Sequence, residues 1–265
     1  MFVNNEGDGS GSAGVSAAAR PTPHNLSVPL EIVAAVIPAL DEEDAIGSLL
    51  ASIDRSLVRD ILVGDNGSRD RTAEIALQGG AQVVRVDERG YGAACLGALT
   101  LLREDVTIVL FLDADGSDDP SEIARLLAPI AQGEADFVIG SRALGVADRG
   151  ALTPQQRVGN WLAIRLIRLI YHHAYTDLGP FRAIRRELLD QINMQDRRFG
   201  WTVEMQIRAL QLGARIAEVP VRYRKRVGHS KISGTVSGVA KAAFWIFYTI
   251  FKYARASRDP QDPSS

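Results

Sequence analysis

The sequence predicts an α/β fold in which a mostly parallel central sheet carries helices on both faces. Between residues 30 and 141, short apolar runs alternate five times with amphipathic stretches, and polar residues or glycine follow the runs. This alternation is typical of parallel sheets covered by helices. The chain has 265 residues, of which 46% are hydrophobic. That length and composition fit one globular domain.

The first elements follow in chain order. The buried run Ile32–Ile37 predicts a strand that Pro38 ends, and the helix predicted at 41–53 has acidic residues in its first turn. A glycine-containing turn cluster at 64–68 separates the strand predicted at 60–63 from later elements. The remaining apolar and amphipathic runs predict helices at 72–77, 91–103 and 120–131, and strands at 81–86, 107–112 and 136–139.

After Arg142 the alternation stops. The periodicity predicts long helices at 154–173 and 201–212, and an edge strand at 215–223. Residues 236–256 predict a C-terminal helix that is amphipathic to apolar, with aromatic residues all around it. Part of that helix must therefore be covered, by a membrane surface, by a second copy of the chain or by the domain itself.

The composition divides the chain into four parts. Residues 1–27 are rich in Gly, Ser, Ala and Asn, lack the basic and apolar regions of a signal peptide, and are expected to be a disordered leader. Residues 28–235 form the predicted domain, 236–256 the C-terminal helix, and 257–265 a disordered tail. The longest apolar run, Ala242–Phe251, is shorter than the roughly 20 residues that cross a bilayer.

Charge is unevenly distributed along the chain. Residues 1–141 hold 9 basic and 23 acidic side chains, whereas residues 142–231 hold 17 basic and 7 acidic ones. This asymmetry indicates a protein that handles a cation and an anion together, with phosphate as the expected anion. The single cysteine, Cys95, excludes an internal disulfide and fits a reducing, cytoplasmic compartment. No nucleic-acid partner is expected.

The strongest local signal follows the apolar run 107–112. Asp113 and Asp115, on either side of Ala114, place two carboxylates at alternate positions where a buried strand ends. Such a pair can bind one Mg²⁺ or Mn²⁺ and leave coordination positions for diphosphate oxygens. The spacing of nearby glycines matches neither a phosphate-binding loop nor a dinucleotide-binding motif.

Three ordered motifs carry a family resemblance: Ile37-Pro38-Ala39-Leu40-Asp41-Glu42-Glu43, Val63-Gly64-Asp65-Asn66-Gly67-Ser68, and Asp113-Ala114-Asp115-Gly116. With Gly140-Ser141-Arg142 and the Arg226-x-Gly-x-Ser-Lys segment, the chain resembles family-2 glycosyltransferases of the GT-A fold. Within them it is similar to the dolichyl- or polyprenyl-phosphate mannose and glucose synthase branch, over about residues 31–235.

The resemblance implies roles for individual residues. Pro38, Ala39, Leu40 and Glu42 would line the nucleoside, and Asp65 would bind the base. Gly92 would lie close to the donor, and Asp113 and Asp115 would bind the metal, with Ala114 between them. Arg226, Ser230 and Lys231 would contact the diphosphate. Tyr91 replaces a lysine found in many relatives, and His229 is a further candidate metal ligand.

The acceptor side leaves two chemistries open. An acceptor phosphate is already an anion, and Arg142, Arg157 and Arg182 would position it. A hydroxyl acceptor would need a carboxylate to take its proton, and Asp177 and Glu204 are the candidates. Arg157, Arg165, Arg168 and His172 fall within about 80° on one helix, beside Trp161. That stripe is typical either of a helix at a lipid surface or of a solvated basic face.

These observations predict an inverting, metal-dependent hexosyltransferase that uses a nucleotide-sugar. A UDP-sugar is favoured as donor over GDP-mannose, and a polyprenyl phosphate is favoured as acceptor, at the cytoplasmic membrane face. One alternative is the same fold acting on a soluble phosphorylated or hydroxyl acceptor. An alternative of another class is a nucleotide-sugar-binding module without transferase activity.

Overall fold

The structure, a computed structural model, describes residues 31–228 and 236–256, with side chains for 31–228 and 243–254. Its strands are β1 (Val33–Ala39), β2 (Asp60–Asp65), β3 (Gln82–Arg85), β4 (Ile108–Phe111), β5 (Phe137–Ala147), β6 (Arg182–Arg185) and β7 (Ile216–Tyr223). Its helices are α1 (Glu43–Ser52), α2 (Thr72–Gln78), α3 (Tyr91–Leu99), α4 (Ile123–Ala131), α5 (Pro154–Tyr171), α6 (Arg186–Ile192), α7 (Trp201–Gln211) and α8 (Val236–Ala256). The predicted leader and tail lie outside the described residues.

The strands form one sheet in the order β3-β2-β1-β4-β6-β5-β7. β6 is antiparallel to both of its neighbours, and the other strands run in one direction. The predicted mostly parallel sheet is therefore confirmed, with β7 at the edge where the sequence placed it.

Helices cover both faces of the sheet, as expected. Alternate residues of β1 point to opposite sides, so Ala35 and Ile37 join one core cluster and Ala34 and Val36 join the other. The first cluster packs under α1, α2 and α4, and the second under α3 and α5 to α8. Because parallel strands buried on both faces expose only their ends, the polar residues collect at the carboxyl edge.

Pro38 does not end β1, in contrast to the sequence prediction. The strand continues to Ala39, and Pro38 pairs in register with Gly64 of β2. Pairing of β1 with β4 stops at Val36, opposite Phe111. The N–H that proline lacks is therefore not needed by that ladder.

β6 and α6 were absent from the sequence prediction. β6 is a four-residue strand, Arg-Ala-Ile-Arg. Its two apolar residues lie between arginines, so the sequence shows no apolar run that would predict a strand. It pairs with β4 on one side and with β5 on the other, so this strand forms through contacts with residues distant in sequence. β5 is longer than expected, because it continues through Gly140-Ser141-Arg142 to Ala147, with an irregularity between Ser141 and Val146.

The C-terminal helix α8 packs against α5 and α7. It buries Thr249, Ile250 and Tyr253, and the hydroxyl of Tyr171 on α5 donates to the Ile250 carbonyl at 2.8 Å. Part of this helix is covered by the domain itself, which is one of the expected arrangements. Among the described residues, no helix combines the length and apolarity needed to span a bilayer.

Candidate functional site

The loops after β1 and β2 are locked together at the carboxyl edge of the sheet. The Asn66 backbone N–H donates to the Ala39 carbonyl at 2.8 Å, and the Asp41 N–H donates to the Ser68 hydroxyl at 2.9 Å. Asp65 is buried beneath this junction and accepts from the Ser68 N–H at 3.0 Å. Pro38 and Ala39 are buried in the strand end, whereas Leu40 and Glu42 remain partly exposed beside it. The predicted nucleoside-binding residues therefore lie side by side, with Leu40 and Glu42 the more accessible.

Asn66 joins these loops to α3. Its side-chain amide donates to the Glu88 carbonyl at 2.6 Å, and its side-chain oxygen accepts from the Gly90 N–H at 2.8 Å. This fixes the first turn of α3, where the hydroxyl of the partly buried Tyr91 donates to Asp113 Oδ1 at 2.9 Å. Sequence reasoning gave neither Asn66 nor Tyr91 a role in the site. The replacement of a family lysine by Tyr91 was the available signal.

Asp113, Ala114 and Asp115 form the turn after β4. Burial, and then the neighbouring charge of Asp115, raise the pKa of Asp113 to about 7. Asp118 accepts from the Asp113 backbone N–H at 3.0 Å, and burial also raises the pKa of Asp118. Three acidic side chains thus crowd one buried turn, which is an environment that a bound cation stabilises.

The segment after β7 covers this turn. The Arg224 N–H donates to the Ser117 carbonyl at 2.7 Å, and the Val227 N–H donates to the Asp115 carbonyl at 3.0 Å. Between them, Arg226 places its guanidinium 2.7 Å from Glu42 Oε1 and 3.2 Å from Asp115 Oδ2. Arg226 therefore connects the expected nucleoside loop to the expected metal loop. His229, Ser230 and Lys231 lie outside the described residues.

Arg142, on β5, is held by Asp177. Its Nε and Nη2 atoms each lie 2.7 Å from an oxygen of Asp177, and its backbone N–H donates to Asp177 at 2.8 Å. Asp177 also accepts from the Leu178 N–H at 2.8 Å. Burial alone would raise the pKa of Asp177, but the Arg142 guanidinium and the N–H donors hold it below its usual value. These contacts therefore favour a role for Asp177 in orienting Arg142 over a role as proton acceptor.

A second, partly buried carboxylate fixes the turn that carries Asp177. Glu218 on β7 accepts from the Thr176 N–H and hydroxyl at 2.9 and 2.7 Å and from the Asp177 N–H at 3.2 Å. These bonds fix the turn that carries Asp177. Sequence reasoning missed Glu218, because a glutamate in an edge strand has no local signature.

Glu204 and Arg182 both lie in the interior. Glu204 is fully buried on α7 and accepts from the Gln195 and Asp196 N–H groups at 3.0 and 2.6 Å and from the Tyr253 hydroxyl. Arg182 is equally buried and donates to backbone carbonyls, including that of Thr202 at 2.9 Å. These contacts support structural roles, in contrast to the proton-acceptor and acceptor-binding roles expected from the sequence.

Gly92 is required by the protein's own backbone. A Cβ at this position would lie 2.0 Å from the Asp196 carbonyl oxygen, and the Gly92 N–H donates to the Arg198 carbonyl at 3.1 Å. The close approach expected of a donor is therefore made by the loop at 196–198.

Arg157 is exposed in the first turn of α5. One turn later, the Asn160 side chain accepts from the Leu178 N–H at 3.1 Å, next to Asp177. The start of α5 therefore adjoins the Arg142–Asp177 pair, and the acceptor role of Arg157 stays a prediction.

Comparison with known proteins gives the following similarities. Residues 34–192 match the family described as "Glycosyl transferase family 2". An uncharacterised glycosyltransferase of Mycobacterium tuberculosis is 37% identical over 219 residues, which cover 81% of this chain and 97% of the relative. A dolichyl-phosphate hexose transferase of Haloferax volcanii is 36% identical over 212 residues, covering 78% and 90%.

A solved structure shares the fold. It is glucosyl-3-phosphoglycerate synthase from Mycobacterium tuberculosis in complex with Mn²⁺, UDP and phosphoglyceric acid. It superposes with a TM-score of 0.68 over 84% of this chain and 78% of that chain, at 24% identity. The fold and family expected from the sequence are therefore confirmed.

Proposed function

This chain belongs to glycosyl transferase family 2, and from that premise we propose that it transfers a hexose from a nucleotide-sugar to polyprenyl phosphate with inversion. A UDP-sugar is the favoured donor and GDP-mannose the alternative. The proposal of a phosphate acceptor rests on one observation. Asp177 and Glu204, the two candidate bases, are both occupied by contacts within the protein. A phosphate acceptor needs neither.

The donor is proposed to bind across the interlocked loops. Asp65 would accept from an N–H of the base, with Pro38, Ala39, Leu40 and Glu42 around the nucleoside. Arg226 would contact the diphosphate, with Ser230 and Lys231 beyond it. The buried Nε of Arg226 has no hydrogen-bond partner within the described part of the chain. An oxygen of the diphosphate would satisfy it.

The aspartate pair fits a divalent cation. Asp113 and Asp115 offer only oxygen ligands, as Mg²⁺ and Mn²⁺ prefer. Within the side chains that the structure describes, no group of three or more His, Cys, Asp or Glu residues surrounds one point as a complete metal site. The pair would thus be completed by diphosphate oxygens and water. When bound, the metal would neutralise charge on the departing nucleotide diphosphate.

The acceptor phosphate is proposed to bind at Arg142 and Arg157. Asp177 accepts from Nε and Nη2 of Arg142, and Nη1 is proposed to donate to the phosphate. Asp113 and Asp118 interact electrostatically with Arg142, so a phosphate there would lie near the donor. One phosphate oxygen would attack the anomeric carbon as the bond to the diphosphate breaks, which inverts the configuration. Positioning and charge stabilisation by the protein then account for the rate.

The occupied bases argue against a hydroxyl acceptor. Asp177 accepts three N–H bonds from Arg142 and one from Leu178, and its lowered pKa makes it a weak base. Glu204 is fully buried and committed to two N–H groups and the Tyr253 hydroxyl. A hydroxyl acceptor would need a carboxylate to take its proton, and these two candidates are already committed to other contacts.

The relatives favour a lipid acceptor over a soluble one. The 36% identical relative is a dolichyl-phosphate hexose transferase. The glucosyl-3-phosphoglycerate synthase uses a soluble phosphorylated acceptor, and its 24% identity supports the fold alone. Glucosylation of a soluble phosphorylated acceptor is therefore the second candidate. A lipid acceptor would place the protein peripherally at the cytoplasmic face of a membrane.

The test is transfer into lipid. The purified chain is incubated with Mg²⁺ or Mn²⁺, radiolabelled UDP-glucose or GDP-mannose, and polyprenyl phosphate in detergent. We expect label from one donor to enter the organic phase, and Asp115→Ala to lower transfer at least about a hundredfold. Asp87→Ala, which removes an exposed aspartate, is the matched control.

The alternatives give different results. Label that moves only to a soluble phosphorylated acceptor would contradict the lipid proposal. Metal-dependent nucleotide binding without transfer to any acceptor would favour a non-catalytic binding module. Full activity in Asp115→Ala would contradict the proposal that the aspartate pair binds the metal.

A further inference from the structure

Helices α5 and α8 pack together, and each carries three basic residues and no acidic one. Neither contains an aspartate or a glutamate, whereas the whole chain has 32 acidic residues. In sequence α5 carries three arginines, and α8 carries two lysines and one arginine. The two neighbouring helices therefore form a region that is cationic without internal compensation.

The outward face of α5 is apolar as well as cationic. Trp161, Leu162 and Leu169 are 55, 41 and 73% exposed. With the exposed Arg165 and Arg168, they fall within an arc of about 120° at 100° per residue. Ala163 and Ile167, on the opposite side of the helix, are buried in the core.

The outward face of α8 is aromatic. Phe244 and Phe251 are 61 and 49% exposed, with Tyr248 between them. These three rings lie within an arc of about 60°, while Ile250 and Tyr253 fill the core beneath. We name the α5–α8 surface by six exposed residues: Trp161, Leu162, Arg165, Leu169, Phe244 and Phe251.

We propose that the α5–α8 surface binds the plane of an anionic lipid bilayer. Amphipathic helices that lie at a lipid interface combine large apolar and aromatic side chains with basic residues, and their affinity rises with anionic lipid. The Arg165 guanidinium lies 4.9 Å from the Trp161 ring centroid. Arg165 and Trp161 therefore place a cation and an indole side by side. The lipid headgroup region accommodates both kinds of side chain. A second copy of the chain would bring two uncompensated cationic faces together, which electrostatic repulsion opposes.

The position of the surface relative to the site supports this partner. Asn160, the residue before Trp161, bonds to the Leu178 N–H beside the Arg142–Asp177 pair. On the α8 side, the Arg198 guanidinium lies 5.1 Å from the Trp245 ring centroid, and the Arg198 carbonyl binds Gly92 of α3. Helix α5 thus adjoins the region of the proposed acceptor phosphate, and α8, which packs against α5, adjoins the loop at 196–198. The inference rests on the proposed function, because a polyprenyl phosphate presents its phosphate at a membrane surface.

The experiment is vesicle co-sedimentation of the full chain. Phosphatidylcholine vesicles with and without phosphatidylglycerol are compared at low and high salt. We expect binding that requires phosphatidylglycerol and weakens with salt. Arg165→Gln with Arg168→Gln should lower binding about thirtyfold, at about 1 kcal/mol for each basic residue. The double variant Leu169→Gln with Phe251→Gln should also lower binding, because it removes two apolar side chains that would insert into the bilayer.

Matched controls lie elsewhere on the molecule. Leu77→Gln on α2 removes an exposed leucine, and Arg103→Gln removes an exposed arginine. Neither should change binding. Thermal melts must show that all variants fold. Transfer to a short-chain polyprenyl phosphate in detergent should persist in the surface variants, since no bilayer is involved.

The outcomes separate this inference from the proposed function. If the wild-type protein does not bind anionic vesicles but transfers sugar in detergent, the proposed membrane-binding surface is wrong and the proposed reaction stands. Surface variants that bind like wild type would also overturn it. A wild-type dimer that Phe251→Gln converts to a monomer, without vesicle binding, would assign the surface to a second copy.

Discussion

At the residue scale, the site is built from charges that hold one another in place. Asp177 binds Arg142 through two guanidinium nitrogens, and Arg226 spans Glu42 and Asp115. Charge-assisted bonds of this kind fix geometry as well as charge. The proposed donor side and the proposed acceptor side therefore each have an arginine whose orientation is set by a carboxylate.

The role of Asp177 can be tested by Asp177→Asn. If Asp177 positions Arg142, the variant should raise KM for the acceptor about tenfold or more, because one charge-assisted pair is lost. The pH dependence of kcat should stay as in wild type. Steady-state kinetics with varied acceptor, at several pH values, measures both. A collapse of kcat with unchanged KM, and loss of the ionisation from the pH profile, would instead make Asp177 the base.

Asp113 makes the stability of the metal-free protein depend on pH. Its folded-state pKa of about 7 lies above the ordinary value of 3.8, so the folded state keeps a proton that the unfolded chain releases. Stability should then fall as pH rises between these values, by about 1.4 kcal/mol per pKa unit of difference. Asp113→Asn, which cannot ionise, should raise Tm above wild type near pH 8 and have little effect near pH 4.

Thermal melts across this range check the effect, with Asp87→Asn as the exposed control. A constant difference in Tm between wild type and Asp113→Asn at all pH values would contradict the raised pKa. Added Mg²⁺ or Mn²⁺ should reduce the wild-type loss, because metal binding favours the ionised carboxylate.

At the element scale, buried and partly buried carboxylates connect helices, strands and loops. Glu204 on α7 joins the loop at 195–196 to Tyr253 on α8. Glu218 on β7 holds the turn at 176–177. Such carboxylates connect elements that hydrophobic packing alone would leave free to shift. Both carboxylates are occupied by these contacts, so neither takes part in the chemistry proposed here.

Tyr253→Phe tests the link between α7 and α8. Losing the hydroxyl removes a donor from the buried Glu204, so the free energy of unfolding should fall by about 1–3 kcal/mol. Chemical denaturation measures it. Tyr248→Phe, on the same helix and half exposed, should leave it unchanged. Transfer activity in detergent should persist in Tyr253→Phe; its loss together with an altered pH profile would return Glu204 to the catalytic candidates.

At the scale of the whole molecule, the acidic and basic halves of the sequence meet at one edge of the sheet. The acidic half supplies Glu42, Asp113 and Asp115, and the basic half supplies Arg142 and Arg226. This arrangement brings the proposed cation-binding turn and the proposed anion-binding arginines together, as the proposed transfer between two phosphate-bearing substrates requires.

Truncation after residue 235 tests whether α8 is part of the domain. Because Ile250 and Tyr253 lie in the core, removing the helix should expose apolar surface and lower Tm by many degrees. Point substitutions on the outward face, such as Phe251→Gln, should leave Tm near the wild-type value. A truncated chain that melts like wild type would show that α8 contributes little to the core.

The sequence by itself determined the family, the alternation of strands and helices, and the carboxylates at the strand ends. These features depend on local patterns, since apolar periodicity and a two-residue spacing of aspartates can be read within a few residues. The sequence also predicted the edge position of β7 and the partial covering of α8.

Only the tertiary structure decided which polar residues remain available. Asp177 meets Arg142 from 35 residues away, Glu204 meets Tyr253 from 49, and β6 exists because β4 and β5 flank it. A carboxylate's chemistry depends on its burial and its hydrogen-bond partners, and these come from chain segments that meet only in the fold. For that physical reason the sequence offered two candidate bases, and only the fold showed that both accept hydrogen bonds from distant residues.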